Sequence, residues 1–172
     1  MRVSVLCLLF SMLFILPGYS TIRELPNATV KSYPRLLLNS QSVSEIRKEA
    51  ANYPLMEKSV TQTIQLASMA LQHDIRVPVP KDAGGGYTHE RHKQNYMDMY
   101  HAGIAYQLTG DKKYARFVEK MLLEYAVLYP TLGIHPEKGN QSAGKLFWQG
   151  LNETVWLVYT IQAYDCVKES IS

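Results

Sequence analysis

The chain has 172 residues, with 18 Lys and Arg against 15 Asp and Glu and a formal net charge of +3. So small a surplus excludes nucleic acid as a partner expected on charge, and any polyanion has to be met by cations gathered locally. Of the two cysteines, Cys7 falls in an N-terminal leader and Cys166 is left alone, which excludes an intramolecular disulfide in the mature chain.

The leader is "MRVSVLCLLFSMLFILPGYS", residues 1–20. Arg2 precedes an apolar run from Val3 to Leu16, Pro17-Gly18 breaks it, and Gly18 and Ser20 flank Tyr19 in the small-x-small pattern that a signal peptidase needs. The run is shorter than the roughly 20 apolar residues of a membrane span. The expectation is a signal peptide cleaved before Thr21, no membrane span after its removal, a periplasmic or secreted location, and one mature domain over 21–172. Cys166, among apolar neighbours, reads as a small core residue rather than a reactive thiol.

Past the leader no strand-like alternation is sustained, and helical spacing recurs. "SVSEIRKEAANY" opens with Ser42 and Glu45 three apart, the pattern of a capping box. Pro54 ends or redirects that helix, because the residue before a proline avoids helical geometry. A second helix is predicted over 55–72, with Met56, Val60, Ile64, Ala67 and Leu71 on one stripe. "HDIRVPVPKDAGGG" is too rich in Pro and Gly for a regular element and reads as a long connection.

"GGGYTHERHKQNY", residues 84–96, follows. Thr88 is a candidate cap for a helix starting at His89, and Met99, Ala102, Gly103 and Tyr106 continue helical spacing behind it. Gly110 suits the left-handed residue that closes this helix, and Asp111 the cap of the next. That next helix carries Tyr114, Phe117, Val118, Met121, Leu122, Tyr125 and Leu128 in register, so the two form an antiparallel hairpin. After the loop "YPTLGIHPEKGNQSAG", a last helix running from Phe147 to Cys166 is apolar almost all round, as in a core element covered on several sides. The sequence ends right after it, and the chain reads as cut short.

Two polar clusters stand out. In the first, His89 and His92 lie three apart rather than the four that zinc proteases use around their Glu, so no metal and no cofactor is expected. An anion site is the alternative: three glycines admit close backbone approach, and free N–H groups at a helix start attract carboxylate or phosphate, helped by His89, Arg91, His92 and Lys93. A plain capped turn with solvated charges is the third reading. In the second cluster, Gln149, Asn152 and Glu153 share a face of the last helix. They either satisfy neighbouring backbone or line a wet sugar cleft beside Trp148, whose ring can stack on a pyranose. His101 and His135 read as structural.

"GGGYTHERHKQNY", "AYQLTGDKKYARFVEKMLLEYA", "YPTLGIHP" and "GKLFWQGLNETVWLVYTIQAYD" resemble the N-terminal helical domain of bacterial exo-acting oligoalginate lyases, within the alginate lyase and heparinase II/III-like group. The resemblance covers about Pro34 to Cys166. It implies an all-α, incomplete (α/α) toroid of antiparallel hairpins, here truncated, with the last helix in the inner layer. It also implies an acidic uronate oligosaccharide or polysaccharide as partner and cleavage by β-elimination. That chemistry needs the substrate carboxylate neutralised as the C5 proton leaves, and a tyrosine, often with a histidine, as base and acid. In the family the neutralising Asn-His pair and the tyrosine follow this region, and this sequence has no adjacent Asn-His pair. The chain alone is therefore expected to be inactive. The residues carried over are His89, Glu90, Trp148, Gln149, Asn152 and Glu153, as substrate-binding groups. A noncatalytic carbohydrate-binding helical module and a helical scaffold for protein partners are the competing readings.

Overall fold

The structure, a computed structural model, describes residues 32–138 and 142–171. The leader, its cleavage point and residues 21–31 lie outside the described residues. Among the described residues there are five α-helices and no strand, so the chain is all-α: α1 Ser40–Glu49, α2 Pro54–Ala70, α3 Tyr87–Thr109, α4 Lys112–Leu128 and α5 Gly150–Val167. None of these is long and apolar enough to cross a membrane.

The first helix starts earlier than its sequence suggests. Asn39 is the cap: its Oδ1 accepts from the Ser42 N–H at 2.8 Å, and the Asn39 N–H donates to Ser42 Oγ at 2.9 Å. Ser42 thus sits at the third position of the box rather than the first, and Glu45 accepts from Gln41 instead. Asn presents the same short acceptor as Ser, so spacing alone did not separate the two frames. A 3₁₀ turn at Ala50–Asn52 and an extended Tyr53 then lead into α2, with Pro54 in its first turn, where a missing N–H costs nothing.

The long α3 is the axis of the domain. Its C-terminal residue is followed by Gly110 at φ +73°, and Asp111 accepts from the Lys113 N–H at 3.0 Å to open α4. This link turns the chain back on itself: His92 near the start of α3 meets Tyr125 near the end of α4. On α4, Tyr114, Phe117, Val118, Met121 and Tyr125 are buried, on the stripe that the spacing predicts. On the other side of α3, Tyr96 and Tyr100 pack on Tyr159, and Gly103 lies against Ala163 and Cys166, so α3 and α5 run parallel. A Cβ at Gly103 would stand 3.2 Å from the Ala163 backbone, so glycine sets how close these two helices approach. Cys166 is buried there, and desolvation pushes its thiol up to about 12, which makes it an inert core residue.

Two expectations for the last helix are corrected. It begins at Gly150, not Phe147; Lys145 to Gln149 form bends before it. Nor is it covered on all sides. Trp156, Ala163, Cys166 and Val167 are buried, whereas Leu151 is 73% exposed and Leu157, Val158, Ile161 and Tyr164 are exposed beside it. On α2 likewise, Ala67 and Ala70 are buried but Leu55 is 83% exposed and Met56 is also exposed. At its C-terminal end α5 holds the start of the described chain: Asp165 accepts from the Arg35 and Leu36 N–H groups at 2.7 and 2.9 Å.

Candidate functional site

The two polar clusters of the sequence, more than 50 residues apart, meet in space. Gly84 lies against the Trp148 indole, where a Cβ would stand 3.2 Å from Nε1. His89 meets the Phe147 ring edge-on, with centroids 5.1 Å apart. The glycine turn before α3 and the bends before α5 therefore form one surface.

The glycine turn is held from within. Helix α3 starts at Tyr87 on the extended residue Gly86, and Thr88 lies inside the helix rather than at its cap. Asp82 Oδ2 accepts from the Thr88 N–H at 2.8 Å and its hydroxyl at 2.9 Å. The Thr88 hydroxyl oxygen in turn accepts from the Lys81 and Asp82 N–H groups. A side chain at Gly86 would overlap Asp82. The anion at this helix start is thus the chain's own carboxylate, and the hydrogen bonds from Thr88 hold it below the usual carboxylate value.

The cations expected to strengthen an anion site are spent elsewhere. Lys93 pairs with Glu90 Oε2 at 2.9 Å, and Glu90 Oε1 accepts from the Gly85 N–H at 3.3 Å and faces His89 Nε2 at 3.8 Å. Arg91 donates to the Asp74 carbonyl at 2.7 Å. His92 is fully buried, and desolvation lowers it to about 4, so it is neutral at pH 7. Its Nδ1 lies 2.9 Å from the Tyr125 hydroxyl, which also accepts from Asn95 Nδ2 at 3.1 Å. The hydroxyl can donate to a bare Nδ1 or accept from a protonated one while accepting from Asn95, so the contact forms with either tautomer. Burial likewise lowers His89, against the opposing pull of Glu90, and its Nδ1 has no partner among the described residues. His135 is buried and its Nδ1 accepts from the Glu137 N–H, a structural role as expected. No three of His, Cys, Asp and Glu among the described residues converge as ligands for a metal.

The second half of the site is built around Glu153, in the first turn of α5. Its Oε2 accepts from three successive backbone N–H groups, Lys145, Leu146 and Phe147, at 2.8, 2.9 and 3.2 Å. Its Oε1 accepts from the Tyr129 hydroxyl at 2.8 Å. Tyr129 is pushed up to about 12, by desolvation first and by this carboxylate second, so it stays a donor. It also stacks on Trp156, with centroids 5.5 Å apart. A side chain at Gly144 would collide with the same carboxylate. This capture of the 145–147 amides is what stops α5 from extending back to Phe147.

Each carried-over residue then has a place. Glu153 and Glu90 have both oxygens committed to protein partners, and His89 is buried beneath the turn. Trp148 is half-buried and its Nε1 has no acceptor among the described residues. Gln149, just before α5, and Asn152, within its first turn, are half-buried, and neither side chain hydrogen-bonds to another described residue. Gln149 is not on the helix, and Asn152 and Glu153 are consecutive, so the shared helical face read from spacing is not formed. Sequence reading missed Asp82, Tyr129 and Gly144. Asp82 precedes the three glycines and resembles any turn residue, and nothing in a spacing of twenty-four residues ties Tyr129 to Glu153.

No protein-family model matches the chain. Among curated proteins it is 44% identical over 140 residues to an exo-oligoalginate lyase of Saccharophagus degradans, covering 81% of this chain and 19% of that protein. It is also 44% identical over 137 residues to an alginate lyase of Stenotrophomonas maltophilia, covering 80% of this chain and 18% of the relative. The chain thus spans about a fifth of the length of these relatives. Identity of this extent across about four-fifths of the chain makes it a member of the alginate lyase family, over about a fifth of its relatives' length.

Proposed function

We propose that this chain is the sugar-recognising helical part of a polysaccharide lyase that acts on alginate or a related uronate by β-elimination. The observation that carries the reading is the meeting of Trp148 with the glycine turn, next to two unspent carboxamides, Gln149 and Asn152, in a chain related to alginate lyases. An indole face beside uncommitted amide groups suits a pyranose, whose faces are apolar and whose rim is rich in hydroxyls. Trp148, Gln149 and Asn152 are assigned to contact with the sugar, and the buried His89 supports this surface from beneath through the Phe147 ring. Glu153 and Glu90 hold the two loops in place. The arrangement of hairpins is read as one arc of an (α/α) toroid, and the location as periplasmic or secreted.

Elimination at C5 needs a neutralised carboxylate and a base. Among the described tyrosines of this surface, Tyr129 is tied to Glu153 and Tyr125 is buried with its acidity suppressed by desolvation. Neither is poised as a base, and the chemistry is assigned to residues outside the matched portion. Two measurements test the reading together. Calorimetry with short oligouronates should give binding that Trp148→Ala abolishes, and the chain alone should raise no ultraviolet absorbance of C4–C5 unsaturated uronate. Equal affinity for a neutral glucan, or no binding of uronate, would count against it. Lyase absorbance from the chain alone would overturn the placement of the chemistry elsewhere. A noncatalytic carbohydrate-binding module predicts the same binding, and differs in that no longer chain carrying this portion would turn over uronate.

A further inference from the structure

Away from the Trp148 surface, α4 and the connection after α2 enclose a groove of about 580 Å³. Lys113, Arg116 and Lys120 line one wall, and Leu71, Ile75 and Phe117 supply apolar floor. A second groove of about 450 Å³ shares His73 and Asp74 with the first and adds Arg76, Arg91 and Tyr87. Tyr87 is the first residue of α3 and adjoins the glycine turn, so the two grooves make one path that ends at the rim of the candidate site.

The path is basic in a chain that is nearly neutral overall. Five cations line it against two carboxylates, Asp74 and Glu124. Lys113 pairs with Asp111 at 2.9 Å and Arg76 with Asp74 at 3.2 Å, while Arg116 and Lys120 have no acidic partner among the described residues. Lys113, Arg116 and Lys120 follow one another along α4 at three- and four-residue steps, about one per 5.4 Å turn. A 1→4-linked hexuronate chain repeats its carboxylates at a similar interval. Its sugar rings also offer apolar faces to a floor such as Leu71, Ile75 and Phe117.

We propose that this path binds the distal part of a long polyuronate chain whose end occupies the Trp148 surface. The ligand class rests on the functional reading above. The test is calorimetry on the chain with four ligands: a long polyuronate, a uronate trisaccharide, a neutral glucan and polyglutamate. Arg116→Gln combined with Lys120→Gln should weaken the long polyuronate about fivefold, as expected for two exposed charge contacts. The trisaccharide should be unaffected, and the loss should shrink with added salt. Lys58→Gln, on α2, should change nothing, and Arg116→Lys with Lys120→Arg should restore binding. An unchanged long-chain affinity in the double Gln variant, an equal loss in Lys58→Gln, or polyglutamate binding as tightly as polyuronate would overturn the proposal. If the wild type binds the long chain through Arg116 and Lys120 but not the trisaccharide, the path stands and the Trp148 reading falls. If the trisaccharide binds and the long chain gains nothing, the reverse holds.

Discussion

Two carboxylates hold the two halves of the candidate site, and they do it differently. Asp82 sits outside its helix and reaches forward to the Thr88 N–H and hydroxyl in the first turn of α3. Glu153 sits inside its helix and reaches back to three amides of the preceding bends and to Tyr129. The first is a single-point cap on an exposed turn. The second is a hub whose loss frees a whole loop, and with it Trp148. Because hydrogen bonds to a charged acceptor are worth more than neutral ones, and an orphaned donor costs extra, the number of donors on each carboxylate should rank the two halves in stability.

The largest expected effect is therefore at Glu153. Glu153→Ala removes an acceptor from four donors, and urea unfolding should show a loss of about 3 kcal/mol, less than the sum of four such bonds because the loop relaxes into water. Glu153→Gln should recover part of it, since one amide oxygen can still accept. A loss below about 0.5 kcal/mol, the range of ordinary surface substitutions, would remove the ranking of the two halves. Next comes the contact between them. Gly84→Ala places a methyl 3.2 Å from Trp148 Nε1, so the indole must shift. The expected cost is about 1 kcal/mol, the low end for overpacking, with a displaced tryptophan emission maximum. An unmoved spectrum would mean the two loops are not in contact.

Gln149→Ala and Asn152→Ala sharpen the comparison from the opposite side. Neither side chain holds protein structure, so melting temperatures should stay within the scatter of surface substitutions. Affinity for oligouronate should fall about two- to tenfold per lost hydrogen bond. The opposite result, with lowered melting temperature and unchanged affinity, would return both residues to a purely structural role.

The smallest effect is an acid one at Asp82. Thr88 lowers the Asp82 pKa in the folded state, so its stabilising contribution is complete above the unfolded value of about 3.9 and is lost as the pH falls through the lower folded value. Urea midpoints of the wild type should decline across that acid window. Asp82→Asn, which has no such proton to take up, should show a shallower decline. Parallel curves for the two proteins would mean that Asp82 does not hold the turn.

Much of this protein was written in local spacing. The α3–α4 hairpin follows from Gly110, Asp111 and an unbroken stripe from Tyr114 to Leu128, because period and caps act within a turn or two of helix. The connection at 73–86 follows from its prolines and glycines for the same reason. The start of α5 did not, because Phe147 and Trp148 are as apolar as the helix behind them. Only Glu153, folded back on the 145–147 amides with Tyr129 beside it, decides that they are loop. Nor did spacing reveal that the anion at the start of α3 is Asp82, since a carboxylate six residues upstream gives no periodic signal. The juxtaposition of Gly84 with Trp148 belongs wholly to tertiary structure. It depends on α3 and α5 running parallel at a distance set by Gly103, and a contact between residues so far apart in the chain is fixed by packing, which no local pattern encodes.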